Sequence, residues 1–211
     1  MKRKLVLILL VVSLLCFTQL NVFAYSVVGI PASSSYSFKF HSAMNIFQRT
    51  PVTNAKNTWN SASGSITINI NSTDATGTVT VGDNSNVCVI VDYSSLGYPA
   101  DSNAVTPLVM SSNKIVNFDV MFNNQKTWGN GTDVLDLEGI AAHELGHTIG
   151  LDEQYPIALY YLNTSAIPTM YAHDEVRIGG ISNPFSQISY YLRTLTQDDI
   201  NGKIYIASQI K

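Results

Sequence analysis

Cysteine is nearly absent from this chain: 211 residues contain two, Cys16 and Cys88. Charge is also scarce, at 13% of residues, about half the usual globular share. Long apolar runs are limited to residues 5–17, which follow Lys2, Arg3 and Lys4. That run is short for a span of about 20 residues. With the basic start and the Val22-Phe23-Ala24 ending, it reads as a secretory signal peptide over 1–24, cut after Ala24. The mature chain is then about 187 residues, enough for one domain with its own core. It is expected to be extracellular, a monomer, and without a stable membrane anchor after cleavage. Cys16 leaves with the leader, so Cys88 has no intrachain partner and disulfides are excluded as a source of stability. Cys88 lies in Val87-Cys88-Val89-Ile90-Val91, a buried-strand pattern in which it serves as a small apolar side chain. Hydrophobic residues make up 45%, which rules out compositional disorder. Net charge is -3 and falls to about -6 without the leader, so a nucleic-acid partner is excluded.

The rest of the chain shows no repeat and no long linker. Residues 25–35 read as a short polar lead-in and 36–211 as the domain. Thr50-Pro51 resembles a helix start, and Val52, Ala55 and Trp59 would line the apolar face of a helix near 51–62, ended by Gly64. Ile66, Ile68 and Ile70 alternate as in a half-buried strand. Further strands are expected around 79–81, 87–91 and 115–123. Pro107 demotes 103–110 to an edge strand or loop. A second helix is expected over 134–149. Thr196-Gln197-Asp198-Asp199 looks like a capping box opening a last helix that faces inward through Ile200 and Ile204. The order of elements predicts an α+β domain.

The chemistry is concentrated in residues 143–153, HELGHTIGLDE. His143 and His147 are four apart on a predicted helix and project from one face, where two imidazoles can share a Zn²⁺ ion. Glu144 is one step further round, the position of the general base in the HExxH pattern. Gly150 suits a helix end that needs a left-handed residue. The chain can then turn back and bring a carboxylate to the metal. Glu153 is the favoured third ligand, with Asp152 as the alternative.

With these residues in view, the chain resembles the metzincin zinc metalloproteases, and among them the matrixins. Their pattern is HExxHxxGxxH with a later Met-turn. His143, Glu144, His147 and Gly150 match, and Glu153 stands where the third histidine is usual. An aspartate there has precedent in snapalysin-type members; a glutamate would lower the site's charge and weaken the zinc as a Lewis acid. Pro168-Thr169-Met170-Tyr171 resembles the Met-turn, with Met170 as the floor beneath the metal. Residues 195–202 are similar to the start of the matrixin C-terminal helix. The strand at 115–123 followed by Trp128 is similar to the strand before the matrixin zinc helix. The likeness covers roughly 36–208.

It implies a zincin-like fold: a twisted mixed β-sheet, a zinc-binding active-site helix and a C-terminal helix. It further implies one catalytic zinc and a secreted endopeptidase acting on protein or peptide, whose extended substrate would pair with an edge strand within 103–110. The altered ligand set leaves a second expectation, a secreted zinc- or peptide-binding protein without turnover. Outside the motif the only histidines are His41 and His173, both expected at the surface or in satisfied polar positions, so a second, structural zinc is not expected. Tyr171 is expected to be structural, and Trp59 and Trp128 to pack in the core. Asp74, Asp83, Asp92, Asp101 and Asp119 offer hard oxygen ligands for Ca²⁺, but their spacing matches no calcium loop.

Overall fold

The structure, a computed structural model, describes residues 25–130, 134–154, 167–172, 175–178, 181–187 and 189–211. The leader at 1–24 and His173 lie outside them. In chain order the elements are β1 (Ile30–Pro31), β2 (Ser35–Phe40), α1 (Ile46–Ser61), β3 (Thr67–Ile70), β4 (Val87–Val91), β5 (Ala104–Val105), β6 (Leu108–Ser111), β7 (Lys114–Phe118), β8 (Val120–Asn123), β9 (Trp128–Gly129), β10 (Leu135–Asp136), α2 (Leu137–Thr148), β11 (Glu175–Ile178), β12 (Ile181–Gln187) and α3 (Gln197–Gln209). The architecture is α+β, with a mixed five-stranded sheet in the order β3-β2-β4-β8-β5. The first four strands run parallel, and β5 closes one edge antiparallel to β8. Parallel neighbours need a crossover, and α1 provides it between β2 and β3. A smaller sheet, β1-β7-β6, lies apart. Among the described residues no helix is long and apolar enough to cross a membrane.

The core forms where α1, the sheet and α2 meet. Val52, Ala55 and Trp59 are the buried stripe of α1, as their spacing predicts. The indole N–H of Trp59 donates to the Ala142 carbonyl at 2.7 Å, tying α1 to the middle of α2. Ile66 and Ile68 are buried beneath α1, and Cys88 is fully enclosed on β4. Burial pushes the Cys88 thiol well above its ordinary range, so it stays protonated and inert. Trp128 stacks edge-on against Phe122, with ring centroids 5.5 Å apart.

Several elements depart from the sequence reading. The first helix begins at Ile46, not beside Thr50, because Asn45 and Gln48 form a reciprocal capping box. Pro51 lies inside it, and the donor it withholds is missing opposite Phe47, a solvent-facing residue. Residues 79–81 are not a strand: they belong to a loop in which Gly77, Gly82 and Asn84 adopt positive φ, and Val79 packs on a small apolar cluster around Val87, Val89, Tyr93 and Met121. The stretch 115–123 is two strands in two sheets. Asp119 divides them, donating its N–H to Pro107 and accepting the Val87 N–H on its carboxylate. The second helix starts at Leu137, since Asp136 caps it by accepting from Gly139 N–H at 2.8 Å, and residues 135–136 are already paired with β9. The last helix faces inward through Asp199, Gly202, Lys203 and Ile206, while Ile204 is exposed. Lys203 makes the difference: its ammonium donates to the carbonyls of Trp59 and Ala62 at the end of α1, where a cation meets the negative pole of the helix.

Candidate metal centre

α2 is buried on almost every side, so side chains along it have little freedom to move. Its end is a Schellman turn: Gly150 N–H bonds the His147 carbonyl at 2.9 Å and Leu151 N–H bonds the Gly146 carbonyl at 3.1 Å. Gly150 has a φ of +103°, and a Cβ there would come within 2.1 Å of the Gly29 carbonyl oxygen. Only glycine satisfies both demands.

Beyond the turn the chain is held from two sides. Residues 25–35, read from the sequence as a lead-in, contribute Val28 N–H to the Gly150 carbonyl and the Ser26 carbonyl to Asp152 N–H, each at 2.9 Å. On the other side Gln154 N–H donates to the Met170 carbonyl at 2.8 Å, and Ala172 N–H to the Gln154 carbonyl at 3.0 Å. Glu153 is thus presented from an extended strip between two neighbours. Asp152 turns the other way, with its carboxylate bonded to Glu153 N–H and Ser26 Oγ.

His143, His147 and Glu153 come together, each offering a ligand atom within 4.8 Å of the others. Glu153 Oε1 lies 3.4 Å from His143 Nε2 and 3.5 Å from His147 Nε2. A tetrahedron with donors at 2.0–2.1 Å has an edge of about 3.3 Å. His143 Nδ1 bonds the Thr169 carbonyl and His147 Nδ1 the Leu151 carbonyl, both at 2.9 Å. A carbonyl only accepts, so each Nδ1 donates and each Nε2 is directed into the cluster. Glu153 Oε2 is buried and has no hydrogen-bond partner among the described residues, which is costly unless a cation compensates.

The electrostatics agree. Burial alone would depress the His143 imidazolium, but Glu153, then Glu144 and the Thr169 carbonyl, outweigh it and raise it to about 9. Burial likewise opposes a charged Glu153, yet His143 and His147 hold its carboxyl well below the usual range. The pocket demands positive charge, and a divalent ion meets that demand better than shared protons. Two imidazoles and one carboxylate form a donor set zinc accepts. The five aspartates considered for calcium do not converge: among the described residues the only such group is His143, His147 and Glu153. Asp74 pairs with Arg49, Asp92 caps the short helix at Tyr93–Ser95, and Asp83 bonds Ser85 N–H.

Met170 is fully buried beneath α2. A Cβ at Gly146 would fall 2.0 Å from the Met170 sulfur and 3.1 Å from the Trp59 ring, so Gly146 is what lets the methionine and the indole approach. The Pro168–Tyr171 turn is tied to α3 by Asp199, whose carboxylate accepts from Thr169 N–H at 2.9 Å and Met170 N–H at 3.3 Å. Thr169 in turn orients His143. Tyr171 is buried and lines the cleft. His41 is satisfied locally, through Gly77 and Ala43.

A cleft of about 260 Å³ opens over His143, Glu144 and Glu153. Residues 101–104, leading into edge strand β5, form one wall; Tyr171, Ala172 and Leu192 lie elsewhere around it. Glu144 is buried beside the cluster, and one of its oxygens, Oε2, accepts from Thr106 Oγ1 at 2.6 Å. Gly146, Asp199 and Thr106 carry no individual signal in the sequence. Gly146 falls inside the motif and Asp199 inside the capping box, but their contacts are with distant segments.

No family model and no curated protein matches this sequence. Among solved structures, the chain is similar to high choriolytic enzyme 1, a hatching enzyme zinc-protease from Oryzias latipes (medaka fish). Identity is 14% and the TM-score 0.41, over 84% of this chain and 92% of that one. It is similar to myroilysin at 14% identity and TM-score 0.43, over 85% of this chain and 93% of that one. Both likenesses are distant, and the roles of individual residues rest on the side chains of this chain.

Proposed function

We propose that this protein is a secreted zinc-dependent endopeptidase, with His143, His147 and Glu153 holding the metal and Glu144 as general base. The observation that carries this reading is the convergence of two Nε2 atoms and a carboxylate beside a buried glutamate. Zinc bound there supplies Lewis acidity, polarising the scissile carbonyl and making water a stronger nucleophile at neutral pH. Glu144 accepts a proton from the attacking water and delivers it to the leaving nitrogen as the C–N bond breaks. Among the described residues β5 is an edge of the five-stranded sheet and lines the cleft through Ala104, so an extended peptide can pair with it. Thr169 and Leu151 keep both imidazoles aimed inward, and Met170 supports the helix from below. Secretion rests on the leader at 1–24.

The test is metal analysis of the purified protein alongside proteolysis by wild type, Glu144→Ala and Glu153→Ala. Zinc near one equivalent, loss of cleavage in the first variant with zinc retained, and loss of zinc in the second are expected. A zinc-free wild type, or a Glu144→Ala variant as active as wild type, overturns the reading.

A further inference from the structure

Thr106 lies between β5 and β6 and is half-buried. Its hydroxyl is 2.6 Å from Glu144 Oε2 and 3.2 Å from the Glu144 backbone carbonyl. The shorter contact has the length of a charge-assisted O–H···O⁻ bond. Among the described residues no other side chain bonds or pairs with the Glu144 carboxylate.

A glutamate's terminal torsion is broad and close to two-fold. An unanchored carboxylate would therefore present either oxygen to the cleft at a range of angles. Bonding one oxygen to a fixed hydroxyl assigns the two different work: Oε2 is occupied, and Oε1 is left to exchange protons. The hydroxyl is itself fixed. Pro107 restricts the backbone of the residue before it to extended conformations, and the Pro107 carbonyl is tied down by Asp119 N–H. The two residues before Thr106 are β5, an edge strand that lines the cleft through Ala104.

We propose that Thr106 is the positioning residue for Glu144, joining the substrate-facing edge strand to the proton-transferring carboxylate. This rests on Glu144 as general base. Among the described residues no hydrogen bond joins the Thr106 side chain to His143, His147 or Glu153, so its loss is expected to reduce turnover and spare binding.

The experiment compares zinc-loaded wild type, Thr106→Val, Thr106→Ser and Glu144→Ala on one peptide substrate, with zinc content measured for each. Thr106→Val is expected to lower kcat roughly 10- to 100-fold, with KM within about twofold and zinc unchanged. Thr106→Ser, which restores the hydroxyl, should return kcat to within about threefold of wild type. Thr106→Ala serves the same comparison if valine is not accommodated, and the same kcat loss is expected of it. Wild-type kcat in both the valine and alanine variants overturns the proposal, as does a loss confined to KM or to zinc content, or a serine variant no better than valine. Glu144→Ala separates the two levels. If it is inactive while Thr106→Val is normal, only the role of Thr106 fails; if it is fully active, the general-base reading fails and takes this one with it.

Discussion

Asp199 and Asp119 are both carboxylates with no exposed surface, and the chain treats them in opposite ways. Asp199 sits at the junction of the Met170 turn and α3. Its Oδ2 accepts from Thr169 N–H, Thr196 N–H and Thr196 Oγ1, at 2.9, 2.7 and 2.8 Å, and its Oδ1 accepts from Met170 N–H. Asp119, where β7 gives way to β8, receives among the described residues a single bond, from Val87 N–H at 2.9 Å, and its buried Oδ2 has no hydrogen-bond partner among them. Burial raises both carboxyls. For Asp199 four bonds work against it. For Asp119 the Val87 bond is outweighed by burial, Asp83 adds to the rise, and the group reaches about 6. Beside the His143, His147 and Glu153 cluster a buried charge is matched by donors and holds the turn whose Thr169 carbonyl accepts from His143; between β7 and β8 a similar charge is tolerated as a cost.

The same substitution at both positions should therefore have opposite signs. Asp199→Asn places an amide N–H₂ among donors and is expected to lose about 2–4 kcal/mol of unfolding free energy in urea. Through Thr169 and His143 it should also weaken zinc binding about 10- to 100-fold, read by competition with a chelating dye. Unchanged stability and zinc affinity would break the comparison.

Asp119→Asn keeps an acceptor for Val87 and removes the charge. It should gain about 1–2 kcal/mol at pH 8, the rise to about 6 being partly offset by an unbonded amide. The sign follows from proton linkage. The folded state holds the Asp119 proton more tightly than the unfolded chain, so that contribution is complete below about pH 4 and is lost as pH rises through about 6. Wild type should lose stability over this window from this group. The variant should lack that component and fall about 1 kcal/mol below wild type near pH 4, where the cost of the unbonded amide is no longer offset. A variant less stable than wild type at pH 8 would show that the orphaned oxygen has a partner in solution.

Thr196→Ala removes one of the four donors to Asp199 and should cost about 1 kcal/mol, measured by thermal or urea unfolding. Thr196→Ser, which retains the hydroxyl, should stay within about 0.5 kcal/mol of wild type. A larger alanine effect accompanied by zinc loss would mean that the cap and the metal centre are coupled more tightly than the Asp199 geometry requires.

What could be read in advance followed periodicity and local chemistry. The α1 stripe of Val52, Ala55 and Trp59 recurs at helical spacing, and its burial follows from that alone. The His143 and His147 pairing, Glu144 beside them, the Gly150 turn and the Thr196 cap are all local patterns, and each was legible. Misread elements were those in which a distant partner outvoted the local signal. Ile115 to Asn123 looks like one strand until Asp119 bonds to Val87 and Pro107. Ile200 and Ile204 look like the inner face of α3 until Lys203 reaches the carbonyls ending α1. Thr50-Pro51 looks like a helix start because proline favours first turns, but the reciprocal bonds of Asn45 and Gln48 are the better cap.

By itself, then, the sequence determined which side chains are available for chemistry and their order along one helix and its following turn, because helical period and the left-handed demand at Gly150 act over a few residues. The tertiary structure alone decided that Glu153 faces the histidines while Asp152 turns to Ser26. It also decided that Gly146 makes room for Met170, that Asp199 holds the turn that aims His143, and that Thr106 meets Glu144 across 38 positions of chain. Those outcomes depend on which surfaces approach within hydrogen-bond distance, and that is set by packing the whole core.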